Sequence, residues 1–213
     1  MRNLYWLLTL LLLVGPDPVH GAWTFEGLGG DAWETPSRLV VRQQGFEDLR
    51  FQARFRTEAF RVPVYWVARL TWWRGDTGWA MDLNHHKLYL ENPPPEIQNL
   101  SVTHGYNLAT IQILRRRGAW HGVVGFGGVL AHPESTVRER KYPESDGFVL
   151  PGHSLAGPVV LFGVGAHLRL AGPVFLTVES RATFSTIDAP IERGDFSLRH
   201  TAFHVVAGLG LRR

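Results

Sequence analysis

Hydrophobic and polar residues alternate with a period of two over much of the chain. In "VFLTVESRATF", Val174, Leu176, Val178, Ala182 and Phe184 share one face, and Thr177, Glu179, Arg181 and Thr183 share the other. "VVLFGVGAHLRL" sets Val160, Phe162, Val164, Ala166, Leu168 and Leu170 against Gly163, Gly165, His167 and Arg169. "HTAFHVVAGLGL" and "YWVARLTWW" repeat the pattern. A period of two means strands. Segments of roughly ten residues, apolar on one side and polar or glycine on the other, are the signature of a transmembrane β-barrel.

The pattern predicts strands at about 22–29, 62–74, 78–90, 105–116, 119–131, 158–171, 173–186 and 198–211. A soluble sandwich would alternate too, but here the connections alternate in length. "GDT", "RGA" and "AGP" are short, whereas 29–61, 91–104, 132–157 and 187–197 are long. Short periplasmic turns and long external loops belong to outer-membrane barrels. Trp72, Trp73, Trp79 and Trp120 cluster beside the short turns and predict an aromatic girdle. The fold class is therefore all-β, an eight-stranded antiparallel transmembrane barrel. Such a barrel is just wide enough to fill with its own side chains. Arg69, Asp82, Asn84, His86, Gln112, His121, His167, Arg169, Glu179, Arg181, His200 and His204 are expected in a closed polar lumen.

The N-terminal residues add an address. Arg2, the apolar run "LYWLLTLLLLVG" and small Gly21 and Ala22 predict a secretory signal peptide over 1–21, followed by a barrel domain over 22–213. The chain holds no cysteine, and its formal net charge is +3. An outer-membrane monomer with no nucleic-acid partner is expected. The chain ends Leu211-Arg212-Arg213, whereas outer-membrane barrels usually end on an aromatic residue.

Candidate chemistry collects where the strands meet the long loops. "DLNHHK" ends one strand with His85, His86 and Lys87; "VTHGYN" carries His104 and Asn107; "LAHPES" carries His132 and Glu134. These come from consecutive strands, so their tips should be neighbours at the extracellular rim. Alternation continues Asp82, Asn84 and His86 along the lumen and turns His85 and Lys87 toward lipid. Lysine suits a phosphate as a compact charge, and histidine moves protons near neutral pH or binds metal. The plain readings are interface anchoring for rim Lys and Tyr residues, hydrogen-bonded core roles for the lumen histidines, and a strand exit at "HPE". In the first long loop, "LRFQARFRTEAFR" puts Arg50, Gln52, Arg54 and Arg56 on one face. This predicts a hairpin arm above the membrane whose basic face binds lipid phosphates or is simply solvated.

At these residues the chain resembles a known family. Asp82, His85 and Lys87 match a D-x-x-H-x-K pattern, and Gly105, Asn107 and Leu108 match G-x-N-L one strand later. "GFGGVLAHPES" is similar to the family's glycine-rich strand that runs into a histidine and an acid. The likeness runs from about Tyr65 to Glu134; "HPES" itself and the Arg-Arg terminus depart from the pattern. The family is a group of small proteobacterial outer-membrane barrels that includes lipid A oxidase. The resemblance implies a barrel that handles lipid A or lipopolysaccharide, with oxidation of the proximal glucosamine by molecular oxygen as its chemistry. On that reading His85 or His104 is the base, Lys87 holds a phosphate and Asn107 a sugar hydroxyl. A divalent metal would fall to His132 and Glu134, with His85 or His104. The alternative is a non-enzymatic structural or lipopolysaccharide-binding barrel. Deacylation, through His153-Ser154 in a loop, is a third and weaker reading.

Overall fold

The computed structural model describes residues 21–143 and 153–213, without the side chains of Thr103 and His104. The stretch read as a signal peptide lies outside the described residues, apart from Gly21. Twelve strands form one sheet: β1 (Ala22–Glu34), β2 (Ser37–Gln43), β3 (Leu49–Ala53), β4 (Phe55–Arg56), β5 (Trp66–Arg74), β6 (Thr77–Leu90), β7 (Ile97–Arg117), β8 (Trp120–Val137), β9 (Arg140–Lys141), β10 (Ser154–Ala171), β11 (Val174–Ile191) and β12 (Gly194–Arg212). Eight of them, in the order β1-β5-β6-β7-β8-β10-β11-β12, close on themselves where β12 pairs antiparallel with β1, as at Gly27 and Leu209. The predicted eight-stranded barrel is thus the observed one.

Three tight turns join β5 to β6, β7 to β8 and β10 to β11. Each places a glycine in the left-handed region: Gly75 at φ 59°, Gly118 at 62° and Gly172 at 52°. These turns and both strand termini mark the periplasmic end.

The other end differs from the expectation of long loops. Strands β7, β8, β11 and β12 continue far past the predicted boundaries, and only Glu192 and Arg193 separate β11 from β12. The segments expected to be loops at 91–104 and 187–197 are largely strand. Their polar outer faces and apolar inner faces were consistent with either reading in sequence, and pairing decides it.

Near this end β1 stops at Glu34 and β5 begins only at Trp66. The arm between them fills the gap. β2 pairs with β12 (Leu39 opposite Leu198), β3 pairs with β2, and β4 pairs with β6 (Phe55 opposite Leu90). The arm is therefore part of the wall. At the tip the buried Gln43 side chain donates to the Val137 carbonyl at 3.3 Å and the Glu192 carbonyl at 3.0 Å, tying β8 to the β11–β12 turn.

The two halves have opposite interiors. Around the apolar outer belt, which includes Phe126 (69% exposed) and Ile111 (61%), the lumen holds Arg69, Asp82, Glu179 and Arg181. Beyond the belt the interior is apolar, with Leu39, Val41, Leu88, Ile187, Ile191 and Phe196 all buried. The outer faces follow suit: on β11, Phe184 is exposed in the belt, and Thr186 and Asp188 are exposed above it. Where lipid surrounds the wall, the polar residues turn inward and must pair with each other. Where water surrounds it, burying apolar surface drives the packing.

Candidate functional site

The lumen decides whether anything passes through the barrel. Arg69 makes a bidentate pair with Glu179, both bonds 2.8 Å, and its Nε donates to Asp82 at 3.1 Å. Arg181 donates to Glu179 at 2.5 Å and lies 3.3 Å from Asp82. His121 meets Glu179 at 2.7 Å, and His167 meets Glu26 at 3.3 Å. This network plugs the barrel. The expected lumen set is in place except at its periplasmic edge, where Arg169 is exposed and His167 is half-buried. Both lie on the last turnward residues of β10, where the wall opens.

Sequence reading did not place Glu26, Tyr65 and Tyr106 in the lumen. Glu26 alternates with outward Phe25, so parity carried the signal. A second buried cluster lies above the ion pairs: Tyr65 Oη lies 3.0 Å from His204 Nδ1, Asn84 donates to Tyr65 at 2.7 Å, and the Tyr106 and Ser185 hydroxyls are 2.6 Å apart. Trp73 also departs from expectation. It points inward at 2% exposure and donates to Thr24 at 3.0 Å, whereas Trp79, Trp120 and Trp23 form the outer girdle.

His85 and Lys87 have the lipid-facing parity expected of them but are not exposed: they are 5% and 1% accessible. The segment between β4 and β5 folds back against Lys87, and the first residue of β5, the strand neighbour of His85, covers the histidine. Trp66 stacks on the His85 ring, centroids 5.6 Å apart and planes within 11°. Lys87 donates to the Arg61 carbonyl at 2.7 Å. The covering segment is itself exposed on its far side, with Phe60 at 85% and Val62 at 86%.

Beneath it a polar group forms on the outer wall. His85 Nδ1 lies 2.8 Å from Asn107 Oδ1, and its Nε2 is buried with no hydrogen-bond partner. A side chain at Gly105 would strike both Asn107 and His153, so His153 sits beside that pair. His132 lies next to His153, ring centroids 5.2 Å apart. The structure thus brings His85, Asn107, His153 and His132 together across β6, β7, β8 and the start of β10. The side chain of His104 lies outside the described residues. Glu134 is one outward position beyond His132 on β8, opposite Ser101. Among the described residues, no group of three or more histidines and acids is disposed to hold a metal ion.

The arm's alternation is as read: Arg50, Gln52, Arg54 and Arg56 are exposed, and Ala53 and Phe55 are buried. Its charge is partly neutralised. Arg50 pairs with Asp48 at 2.7 Å, and Arg56 with Glu58 at 3.2 Å. Partial desolvation would raise the Glu58 carboxyl, but hydrogen bonds from Arg56 and Arg61 outweigh it and hold the group below its ordinary range.

A closed barrel with an apolar outer belt, an aromatic girdle and a plugged polar lumen defines a small outer-membrane β-barrel. No protein-family model and no curated protein matches the chain. Among solved structures it is similar to the outer membrane protein AlkL, at 10% identity over 93% of both chains with a TM-score of 0.50. That likeness supports the fold. Neisserial surface protein A aligns with 87% of this chain and 98% of its own at 9% identity and a TM-score of 0.34. Ail, the attachment invasion locus protein of Yersinia pestis, aligns with 90% and 97% at 8% identity and 0.40.

Proposed function

We propose that this barrel holds lipid A of the outer leaflet against its outer wall, with residues 1–21 serving as the signal peptide that sends it there. The observation that carries the reading is the polar group His85–Asn107–His153–His132 of outward parity, at the level where the apolar belt gives way, in which His132 and His153 are half-buried and His85 and Asn107 buried. A wall surrounded by acyl chains has no use for such groups; a wall facing sugars and phosphates does. The covering segment supports the same reading. Phe60 and Val62 offer apolar side chains to acyl chains, and Arg61 between them, its side chain 74% exposed, offers a phosphate the part of its guanidinium that Glu58, 3.1 Å from Nη1, leaves unpaired. Arg54 on the arm, with no acidic partner among the described residues, adds to this face; Arg50 and Arg56 contribute less because acids already pair them.

A second reading, oxidation of the proximal glucosamine with molecular oxygen as oxidant, is favoured by one atom. His85 Nε2 is the imidazole nitrogen left over after Asn107 takes Nδ1, and on this reading it acts as the base once the cover opens. Lys87 drops out of that reading, because its ammonium already donates to the Arg61 carbonyl.

The test is mass spectrometry of lipid A, both bound to the purified barrel and extracted from cells expressing it. Lipid A retained by the wild type and lost from Phe60→Ser/Arg61→Gln supports holding. A gain of one oxygen that vanishes in His85→Ala establishes oxidation. A folded wild-type barrel that neither retains nor alters lipid A refutes both.

A further inference from the structure

The periplasmic end carries a concentration of arginine that the lipid A reading does not use. Arg74, Arg115, Arg117 and Arg213 follow the outward parity of their strands, below Leu70, Ile113 and Leu211. They stand on the outside of the wall, turnward of the tryptophan girdle. Arg116, Arg169 and Arg212 have the opposite parity. They line a cavity of about 340 Å³ at the mouth of the lumen, with Trp73, His167 and Phe175.

The cavity is built from rigid parts. The Arg116 guanidinium lies over the Trp73 ring, 5.0 Å from its centroid, and donates to the Gly75 carbonyl at 2.9 Å. The His167 ring packs against Phe175 at 4.8 Å and edge-on against Trp73 at 6.0 Å. Among the described residues one acid pairs with these arginines: Asp76, 3.4 Å from Arg116 and 68% exposed. Arg169 and Arg212 have no acidic partner among the described residues. Glu26, deeper in, is bound by Thr177 at 2.7 Å and by His167. At the extracellular end, by contrast, several arginines are matched by acids, as in Arg42–Asp195, Arg50–Asp48 and Arg61–Glu58.

We propose that this mouth is an anion-binding site for a soluble periplasmic molecule carrying a phosphate or carboxylate group. Arg116, Arg169 and Arg212 line one concave recess, which focuses their field. Arginine engages such oxyanions through paired N–H donors. The volume is at the small end of ligand pockets, roughly 300–1,000 Å³. The barrel wall separates these arginines from lipid, so the ligand arrives from the periplasm. The ion-pair plug above Glu26 prevents its passage, which makes this a binding site and not an entrance.

The test is isothermal titration of the folded mature barrel, in zwitterionic detergent, with inorganic phosphate and separately with citrate. Arg169→Gln/Arg212→Gln is compared with Arg74→Gln/Arg117→Gln, which removes the same charge from outside the cavity. The expected result is saturable binding of at least one anion, weakened roughly tenfold or more by the first pair and little changed by the second. Phosphate alone or citrate alone saturating identifies which group the site takes. Equal weakening by both pairs, or no saturable binding to the wild type, overturns the site. Should the first pair fail to fold, chloride at matched ionic strength serves on the wild type: displacement of the anion by chloride overturns the proposal, and retention supports it.

Discussion

Glu179 is the hub of the lumen, and its removal tests whether the barrel is held shut as described. Its two oxygens accept from Arg69 Nη1 and Nη2 at 2.8 Å each and Arg181 Nε at 2.5 Å, and they meet His121 Nε2 at 2.7 Å. Arg69, Glu179 and Arg181 are each 3% exposed or less, so water cannot replace the lost bonds without entering the plug. Glu179→Gln keeps the volume and removes the charge and half of the acceptor capacity. Breaking a buried ion pair from one side costs about 3–5 kcal/mol. With a urea slope of about 1–3 kcal/mol/M, the midpoint should fall by at least about 1 M. Asp82→Asn supplies the internal scale, because Asp82 receives only the longer contacts, 3.1 Å from Arg69 and 3.3 Å from Arg181. It should cost less, about 1.5–3 kcal/mol. The assay is urea unfolding of the barrel refolded in micelles, read by tryptophan emission and by the heat-modifiable gel shift. An unchanged midpoint for Glu179→Gln, or a greater loss for Asp82→Asn, would refute the assignment of Glu179 as the hub.

Three further outcomes are expected. His85→Ala leaves a folded barrel but lowers its unfolding free energy by about 1–3 kcal/mol, since a buried, stacked and hydrogen-bonded ring is lost; an unchanged midpoint would show that the Trp66–His85 cover is loose. Lys87→Met removes the bond to the Arg61 carbonyl and raises the open population of the covering segment roughly ten- to a hundredfold, to be read as faster tryptic cleavage after Arg61, and equal cleavage rates would count against the contact. Gly127→Ala puts a Cβ into the Ala109 carbonyl on β7 and should impair folding, whereas Gly29→Ala, which meets nothing within 4 Å, should not; refolding yields of the two variants decide this.

Alternation made the barrel legible, and it also shows where reading stops. In the membrane band one rule held: "FLTVESRATF" placed Glu179 and Arg181 inside and Phe184 outside, as found. The rule assigns residues to two faces but does not say what each face meets. Ile187, Ala189 and Ile191 keep the lumen parity of Arg181 and Thr183 yet build an apolar core, because the wall there stands in water. Continuing the strand on paper could not distinguish that core from a loop. His85 and Lys87 keep lipid parity, yet Trp66 of the neighbouring strand stacks over His85, and a segment some twenty-five residues upstream covers Lys87, which bonds the Arg61 carbonyl 26 positions away. Local pattern carries no information about such a return of the chain. The same reasoning locates the candidate site. His132 and His153 are adjacent only because the pairing places Ser154 opposite Ala131, a register that follows from the bulge between Leu155 and Gly157. A polar residue of lipid parity near a strand's outer end is therefore ambiguous in sequence between headgroup ligand and covered core. What resolves it is whether another segment lies over it, and at Lys87 one does, with its own apolar side chains turned outward. If that segment and not the strand is the surface that meets lipid, substitutions at Phe60 and Val62 should alter lipid A retention more than His85→Ala does, and the reverse order would return the contact to the strand.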